Sequence, residues 1–507
     1  LTYQYLKKIL NLLDWHPDNQ ERKMDIFKKI KPWKLYFSND TLIDSKQKAI
    51  LIRTFLIIII FISSIFLTTD IASAVPSFAR QTGLQCNECH TAYPQLTPFG
   101  REFKLRGYVM SDEKSKIPPV AFMALPSFTN TNEGQPGGAT DDFDDNNNFA
   151  ITQASIFYAG RLFGPYASMI TGHEIGSFMN KIGTFVQTTW DGIEKKWAWD
   201  NAEVRFANSS TIDGKELDYG IYINNNPTMQ DLWNTTPAWS FPFTGSGLAP
   251  MPAAATLLND TIAQQVFGIG AYTRIMRTLY LEIGSYRTLG TGFQDAMGVD
   301  PAGEMQITDL APYWRVAVEK DWGDNYLEVG TYGIYANIYP GRVSSAGKDH
   351  ILDLGFDSQY QYISDVNDIT ARINFLHEFQ DWNASRDLGN VSNSSDDLWN
   401  FTASTSYLYD KTYNASVQYF ITGGDSDSIL YADSRTGSPD SRGWVFELDY
   451  LPFNKSGGPK FWSKSNVKLT MQYVLYNKFD GSSDNYDGTG RDASDNNTLY
   501  LEAWVAF

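Results

Sequence analysis

Cysteine is nearly missing from this chain: 507 residues hold two, Cys86 and Cys89, and nothing elsewhere could pair with them. A zinc site would need a second ligand pair at ribbon or finger spacing, and a thioredoxin-type dithiol would need a βαβ context, so both are disfavoured. A disulfide across two intervening residues would be strained. Long apolar runs are also scarce. After Ala74 no uncharged stretch of eighteen predominantly apolar residues occurs, so any later membrane crossing must be made by strands. No G-x-S-x-G, P-loop or H-E-x-x-H pattern is present. Positive charge is short as well. The chain has 41 Lys and Arg against 58 Asp and Glu, and residues 1–74 take 11 of the former and 7 of the latter, which leaves −21 on the remainder. That charge argues against nucleic acid as a partner and favours cations.

What is present begins with an export signal. Residues 55–67, FLIIIIFISSIFL, are uncharged, follow Lys46, Lys48 and Arg53, and precede the small-residue pattern Ala72-Ser73-Ala74. This predicts a cleavable signal peptide, with residues 1–74 outside the working protein. A retained anchor is the alternative, if the apolar run is counted back to Ala49. The first methionine is Met24, so an over-extended start is expected and nothing is built on residues 1–48.

Directly behind the two cysteines stands His90. C-x-x-C-H is the pattern that attaches one c-type haem: two thiols three positions apart reach its two vinyl groups, and the adjacent imidazole becomes the proximal iron ligand. Haem of this type is attached outside the bacterial cytoplasm, so signal and motif support each other. For the sixth iron position Met110 is the nearest local candidate, Met123 the next and His173 a remote one. The mature chain's other histidines are His350 and His377.

Beyond residue 117 the pattern has a period of two. Ile369, Ala371, Ile373 and Phe375 alternate with Thr370, Arg372 and Asn374, and Trp444, Phe446, Leu448 and Tyr450 alternate with Val445, Glu447 and Asp449. Segments of about ten residues bounded by aromatics predict an all-β fold, a transmembrane antiparallel barrel with lipid against the apolar face and water against the other. The last strand alternates Leu499, Leu501, Ala503, Val505 and Phe507 with polar and aromatic residues, resembling the assembly signal of outer-membrane barrels. Seventeen candidate strands can be counted, one of them near Pro165. An even number is required, so sixteen to eighteen are expected, with the error placed in the connection at 227–263.

Short turns such as Trp322-Gly323-Asp324 and Tyr409-Asp410-Lys411 predict the periplasmic end, and the long polar loops at 130–148, 422–442 and 480–497 the outer one. Asp141, Asp142, Asp144 and Asp145 in the first of these form a candidate cation site of hard oxygens, although most such loops are simply solvated. Three domains follow: 1–74 extension and signal, 75–117 a monohaem cytochrome c segment, 118–507 a porin-like barrel. About forty residues cannot enclose a haem alone. The segment is therefore expected to plug the mouth or lumen of the barrel and borrow its walls.

Phe78-Ala79-Arg80 ahead of Cys86-Asn87-Glu88-Cys89-His90, and Pro94-Gln95-Leu96-Thr97-Pro98-Phe99-Gly100-Arg101-Glu102-Phe103-Lys104 behind it, resemble the fused monohaem cytochrome-porins of the bacterial outer membrane. That resemblance implies thioether links at Cys86 and Cys89, proximal ligation by His90, and an iron(II):cytochrome c oxidoreductase. Such a protein would oxidise extracellular Fe(II) and pass single electrons to a periplasmic c-type cytochrome. The competing expectations are a haem-plugged porin serving another extracellular donor or acceptor, and a soluble periplasmic cytochrome with a β-sandwich.

Overall fold

The alternation seen in the sequence is the inside and outside of one closed sheet. The computed structural model describes residues 77–110, 118–164, 178–299, 305–455 and 465–507. All of these fall in the second of two units, 72–507; the first, 1–71, lies outside them.

The strands are β1 (Val120–Thr131), β2 (Asn148–Arg161), β3 (Ile182–Asp191), β4 (Lys196–Ile212), β5 (Lys215–Asn224), β6 (Val266–Ile275) and β7 (Leu279–Thr288). After the two-residue β8 (Gln306–Ile307) come β9 (Ala311–Trp322), β10 (Asn325–Tyr339), β11 (Asp349–Ile363), β12 (Asn367–Asp381) and β13 (Ser395–Tyr409). The sheet finishes with β14 (Tyr413–Gly424), β15 (Ser441–Tyr450), β16 (Asn466–Lys478) and β17 (Thr498–Ala506). Every neighbouring pair is antiparallel, and β17 returns to β1 with Ala506 opposite Met123 and Thr498 opposite Thr131. Setting aside β8, which only extends the rim beside β10, sixteen strands close the barrel. Closure leaves no unpaired edge, the condition a sheet must meet in hydrocarbon.

Sixteen of the seventeen sequence-predicted strands lie within a few residues of observed ones. The candidate near Pro165 lies outside the described residues. The sheet does not need it, because β2 pairs directly with β3 from Arg161–Gly183 onward. The connection at 225–265 holds no strand. It folds inward instead, with a 3₁₀ turn at Pro237–Trp239 and a π turn at Leu257–Thr261, and buries Met229, Leu232 and Trp233 completely or nearly so.

Side-chain placement is inverted relative to a water-soluble core. On β12 the exposed apolar residues are Ile369, Ile373, Phe375 and Phe379, while Asp368, Thr370, Arg372, Glu378 and Gln380 are buried inside. β15 repeats this with Trp444, Phe446, Leu448 and Tyr450 outward and Glu447 and Asp449 inward. An apolar belt outside and a charged interior is the arrangement a barrel adopts in a bilayer. The interior is not an open water column, however. Arg315 is buried against Asp357 at 2.6 Å, Glu328 at 3.5 Å and Asp231 at 3.6 Å, and Arg205 against Glu203 at 2.8 Å. Charges removed from water to this degree persist because they are paired.

Short turns collect at one end: 213–214, 276–278, 323–324, 364–366 and 410–412. The long connections at 132–147, 425–440 and 479–497 collect at the other, as their lengths predict.

Candidate functional site

Residues 77–110 lie inside the barrel as three short helices, α1 (Ser77–Thr82), α2 (Cys86–Cys89) and α3 (Pro98–Leu105). The tight turn between α2 and α3 is built locally. Thr97 caps α3, its hydroxyl oxygen accepting from the Gly100 N–H at 3.1 Å, and its own N–H donates to the Cys89 carbonyl at 3.0 Å. Pro98 at the first helical position suits that start.

Barrel residues from far-apart strands then hold the segment. Arg205 on β4 donates to the Lys104 carbonyl at 2.9 Å, and the Tyr272 hydroxyl on β6 donates to the Leu105 carbonyl. Arg274 pairs with Glu102 at 2.6 Å. Arg372 on β12 and Ser406 on β13 each donate to the Gln95 side-chain carbonyl at 3.2 Å. Arg101 bonds Gln359 and Gln361 on β11, with its guanidinium 3.7 Å over the Tyr326 ring. At the short-turn end Asn454 is fully buried and reaches three ways. Its amide donates to the carbonyls of Thr91 at 3.1 Å and Lys411 at 3.0 Å, and its backbone carbonyl accepts from the Asn87 N–H at 3.4 Å.

Between this segment and the wall is a cavity of about 550 Å³, within the range of small-molecule and cofactor sites. Cys86, Cys89 and His90 all line it, together with Phe78, Phe103 and Tyr108 from the segment. The wall supplies Met123, Phe157, Phe185, Glu502 and Trp504, and the inward connection supplies Trp239 and Phe243. The cavity reaches from Ala506 at the short-turn end to Asp191 and Ile193 at the long-loop end.

The three residues of the motif are set up differently from a reactive dithiol. Burial pushes both thiols up, Cys89 to about 12 with Cys86 and Glu88 adding to the effect, so neither is a thiolate at neutral pH. Redox-active C-x-x-C pairs need the opposite shift. Burial pushes the His90 imidazole down, against the Pro94 and Gln95 carbonyls, and keeps the ring neutral. Its Nδ1 faces the Pro94 carbonyl at 3.4 Å, and Nε2 has no hydrogen bond among the described residues. A histidine whose Nδ1 is held by a backbone carbonyl has its other nitrogen free for a metal. Two thiols, that imidazole and a largely apolar cavity are a donor set a covalently attached haem fits.

The remaining sequence candidates separate. Met110 follows the segment, half-buried, and does not line the cavity, whereas Met123 faces inward on β1 and does. Tyr108, two residues before Met110, is the last residue of the segment to line the cavity. His173 lies outside the described residues. His350 bonds Asn337 at 2.6 Å, and His377 packs outward 4.3 Å from the Phe379 ring; neither lines the cavity. Asp141, Asp142, Asp144 and Asp145 assemble no cation site, since no three carboxylate, His or Cys side chains among the described residues gather to hold a metal. Asp142 is instead paired with Lys195 across the loop tips.

No family model matches the chain, and no curated protein matches it. Among solved structures it is similar to the anion-selective porin from Comamonas acidovorans, at 11% identity and TM-score 0.42 over 76% of this chain and 98% of that one. It is also similar to the outer-membrane channel DcaP of Acinetobacter baumannii, at 11% identity and TM-score 0.41 over 76% and 96%. OmpT of Vibrio cholerae stands at 10% identity and TM-score 0.38 over 78% and 98%.

Lys104 was legible in the sequence only as part of the stretch behind the motif, and Trp239 not at all. Both line the cavity, the ammonium 4.5 Å over the indole ring. A signal did exist for the wall residues, since their positions on β1 to β4 and β17 have the inward parity.

Proposed function

We propose that the chain is an outer-membrane electron conduit of the cytochrome-porin type, holding one haem c through Cys86, Cys89 and His90. In this reading it oxidises extracellular Fe(II) and hands single electrons to a periplasmic c-type cytochrome. The observation that carries it is that both thiols and a neutral, carbonyl-oriented imidazole line one cavity whose other walls belong to the barrel. Bound there, haem supplies reversible one-electron chemistry near its iron's potential.

The protein's part is positioning. Asn454, Arg205 and Arg372 fix the segment that carries the cysteines, and Phe157, Phe185 and Trp504 keep the cavity apolar. Met123, whose side chain lines the cavity, would be the thioether available to the haem iron. The extent of the cavity toward the long loops supports access from outside, and the −21 charge of residues 75–507 favours a cation as the visitor. Each Fe²⁺ would leave as Fe³⁺ on the outer side while its electron leaves on the other.

Purified protein, run denatured, should keep a haem stain on the polypeptide. Mixing the oxidised protein with Fe²⁺ in a stopped-flow cell should then raise the reduced haem band. A stained chain that ignores Fe²⁺ but is reduced by another donor would replace iron with that donor. A chain with no stain would end the cytochrome reading.

A further inference from the structure

Lys104 projects from α3 into the cavity, and 6% of its surface is exposed. A buried ammonium is costly unless an anion meets it. Every charged group facing it is already engaged. Asp231, on the inward connection, accepts from the N–H groups of Trp233 and Thr235 at 2.9 Å and Thr236 at 3.1 Å, and lies 3.6 Å from Arg315. Glu203 is paired with Arg205 on β4, and Glu282 on β7 accepts from the Tyr222 hydroxyl at 2.6 Å and the Tyr280 hydroxyl at 3.0 Å.

Among the described residues the Lys104 ammonium has neither an ion pair nor a hydrogen bond, only the face of Trp239. Burial, with repulsion from Arg205 adding to it, accordingly outweighs Asp231, Glu203 and Glu282 and pulls its pKa down to about 7. Among the residues lining the cavity Lys104 is the one Lys or Arg, and the acids there, Asp191, Asp200 and Glu502, are not within ion-pair distance of it. A buried cation that faces the cavity with no anion of its own marks where a ligand would bring negative charge.

We infer that Lys104 is the counter-ion of a ligand carboxylate, specifically one propionate of the haem, and that it thereby raises the haem potential. The inference rests on the haem reading above. Its logic is that a fixed positive charge beside the cofactor favours the reduced state, which carries one positive charge fewer. Lys104 is a positioning and tuning residue in this account and does not touch the iron.

The test compares wild type with Lys104→Met, Lys104→Gln and Lys104→Arg. It measures covalent haem per chain, the midpoint potential, and the propionate bending band in resonance Raman. Lys104→Met and Lys104→Gln should retain haem, lower the midpoint and shift the propionate band. Lys104→Arg should stay near wild type in both. The two neutral variants guard against one of them failing to fold. A haem-loaded neutral variant with midpoint and band unmoved overturns the inference and leaves the haem reading standing, whereas a wild type without covalent haem removes both.

Discussion

A β-carbon placed on Gly100 would lie 2.1 Å from the carbonyl oxygen of Cys89 and 3.0 Å from its carbonyl carbon. α3 therefore crosses the cysteine helix at backbone contact, closer than any side chain allows. The obstructing atoms are main chain in a turn tied by Thr97, so they cannot move aside cheaply. Gly100→Ala should push α3 off α2, at a cost on the order of 1–3 kcal/mol for overpacking. If the chain carries the proposed haem, covalent haem per chain should fall well below wild type, while heat-resistant barrel mobility on a gel stays. Equal haem content in the variant would show that the close crossing has no bearing on the site.

How much of this was readable in advance follows from where the information lies along the chain. The barrel was, because inward and outward residues of β12 or β15 alternate within a single strand and lipid imposes the alternation everywhere. Cys86, Cys89 and His90 were, because five consecutive residues carry the motif. Which of the inward-facing residues wall the pocket was not. Met123 comes from β1, Phe185 from β3 and Trp504 from β17, and they meet only because the sheet closes on itself. The connection at 225–265 was opaque for another reason. Its buried residues, such as Thr228, Gln230, Asp231 and Trp233, follow no period, since each is fixed by a separate partner inside the lumen.

Asn454 joins the cysteine segment to two barrel turns, and its Oδ1 also accepts from Asn466 at 3.3 Å. Asn454→Ala strands the carbonyls of Thr91 and Lys411 in a buried place. Each unpaired carbonyl costs on the order of 1–3 kcal/mol. The loss should be local, seen as faster amide exchange over residues 86–97 with the strand amides unchanged. Unaltered exchange there would mean that Arg372 and Arg205 hold the segment without it.

Asp427 ties together two long loops. Its carboxylate accepts from the N–H groups of Ser392 at 2.7 Å, Asn393 at 2.8 Å, and Ile429 and Leu430 at 2.9 Å. Burial opposes its ionisation, but these donors win and hold the carboxyl down at about 2. A carboxyl lower in the folded than the unfolded state contributes stability that is complete above the unfolded value, about 4. That contribution fades as pH falls through 2. Asp427→Asn should therefore speed exchange of the four amides at pH 7, and wild type should converge on the variant between about pH 4 and 2. Matching protection at pH 7 would exclude the carboxylate as the tie.

Met123 and Met110 offer the sharpest contrast between chain distance and space. Both follow His90, but only Met123 lines the cavity, on the inward face of β1 where its partner across the seam is Ala506. A thioether in the sixth position gives ferric haem a distinct long-wavelength charge-transfer band and raises the potential relative to a second imidazole or water. Met123→Leu conserves volume to within the tolerance of a core, about 1.5 kcal/mol, so the barrel should assemble normally. It should abolish the band and lower the midpoint, while Met110→Leu should leave both as in wild type. If the Met110 variant loses the band and the Met123 variant keeps it, the cavity wall is the wrong place to seek the ligand.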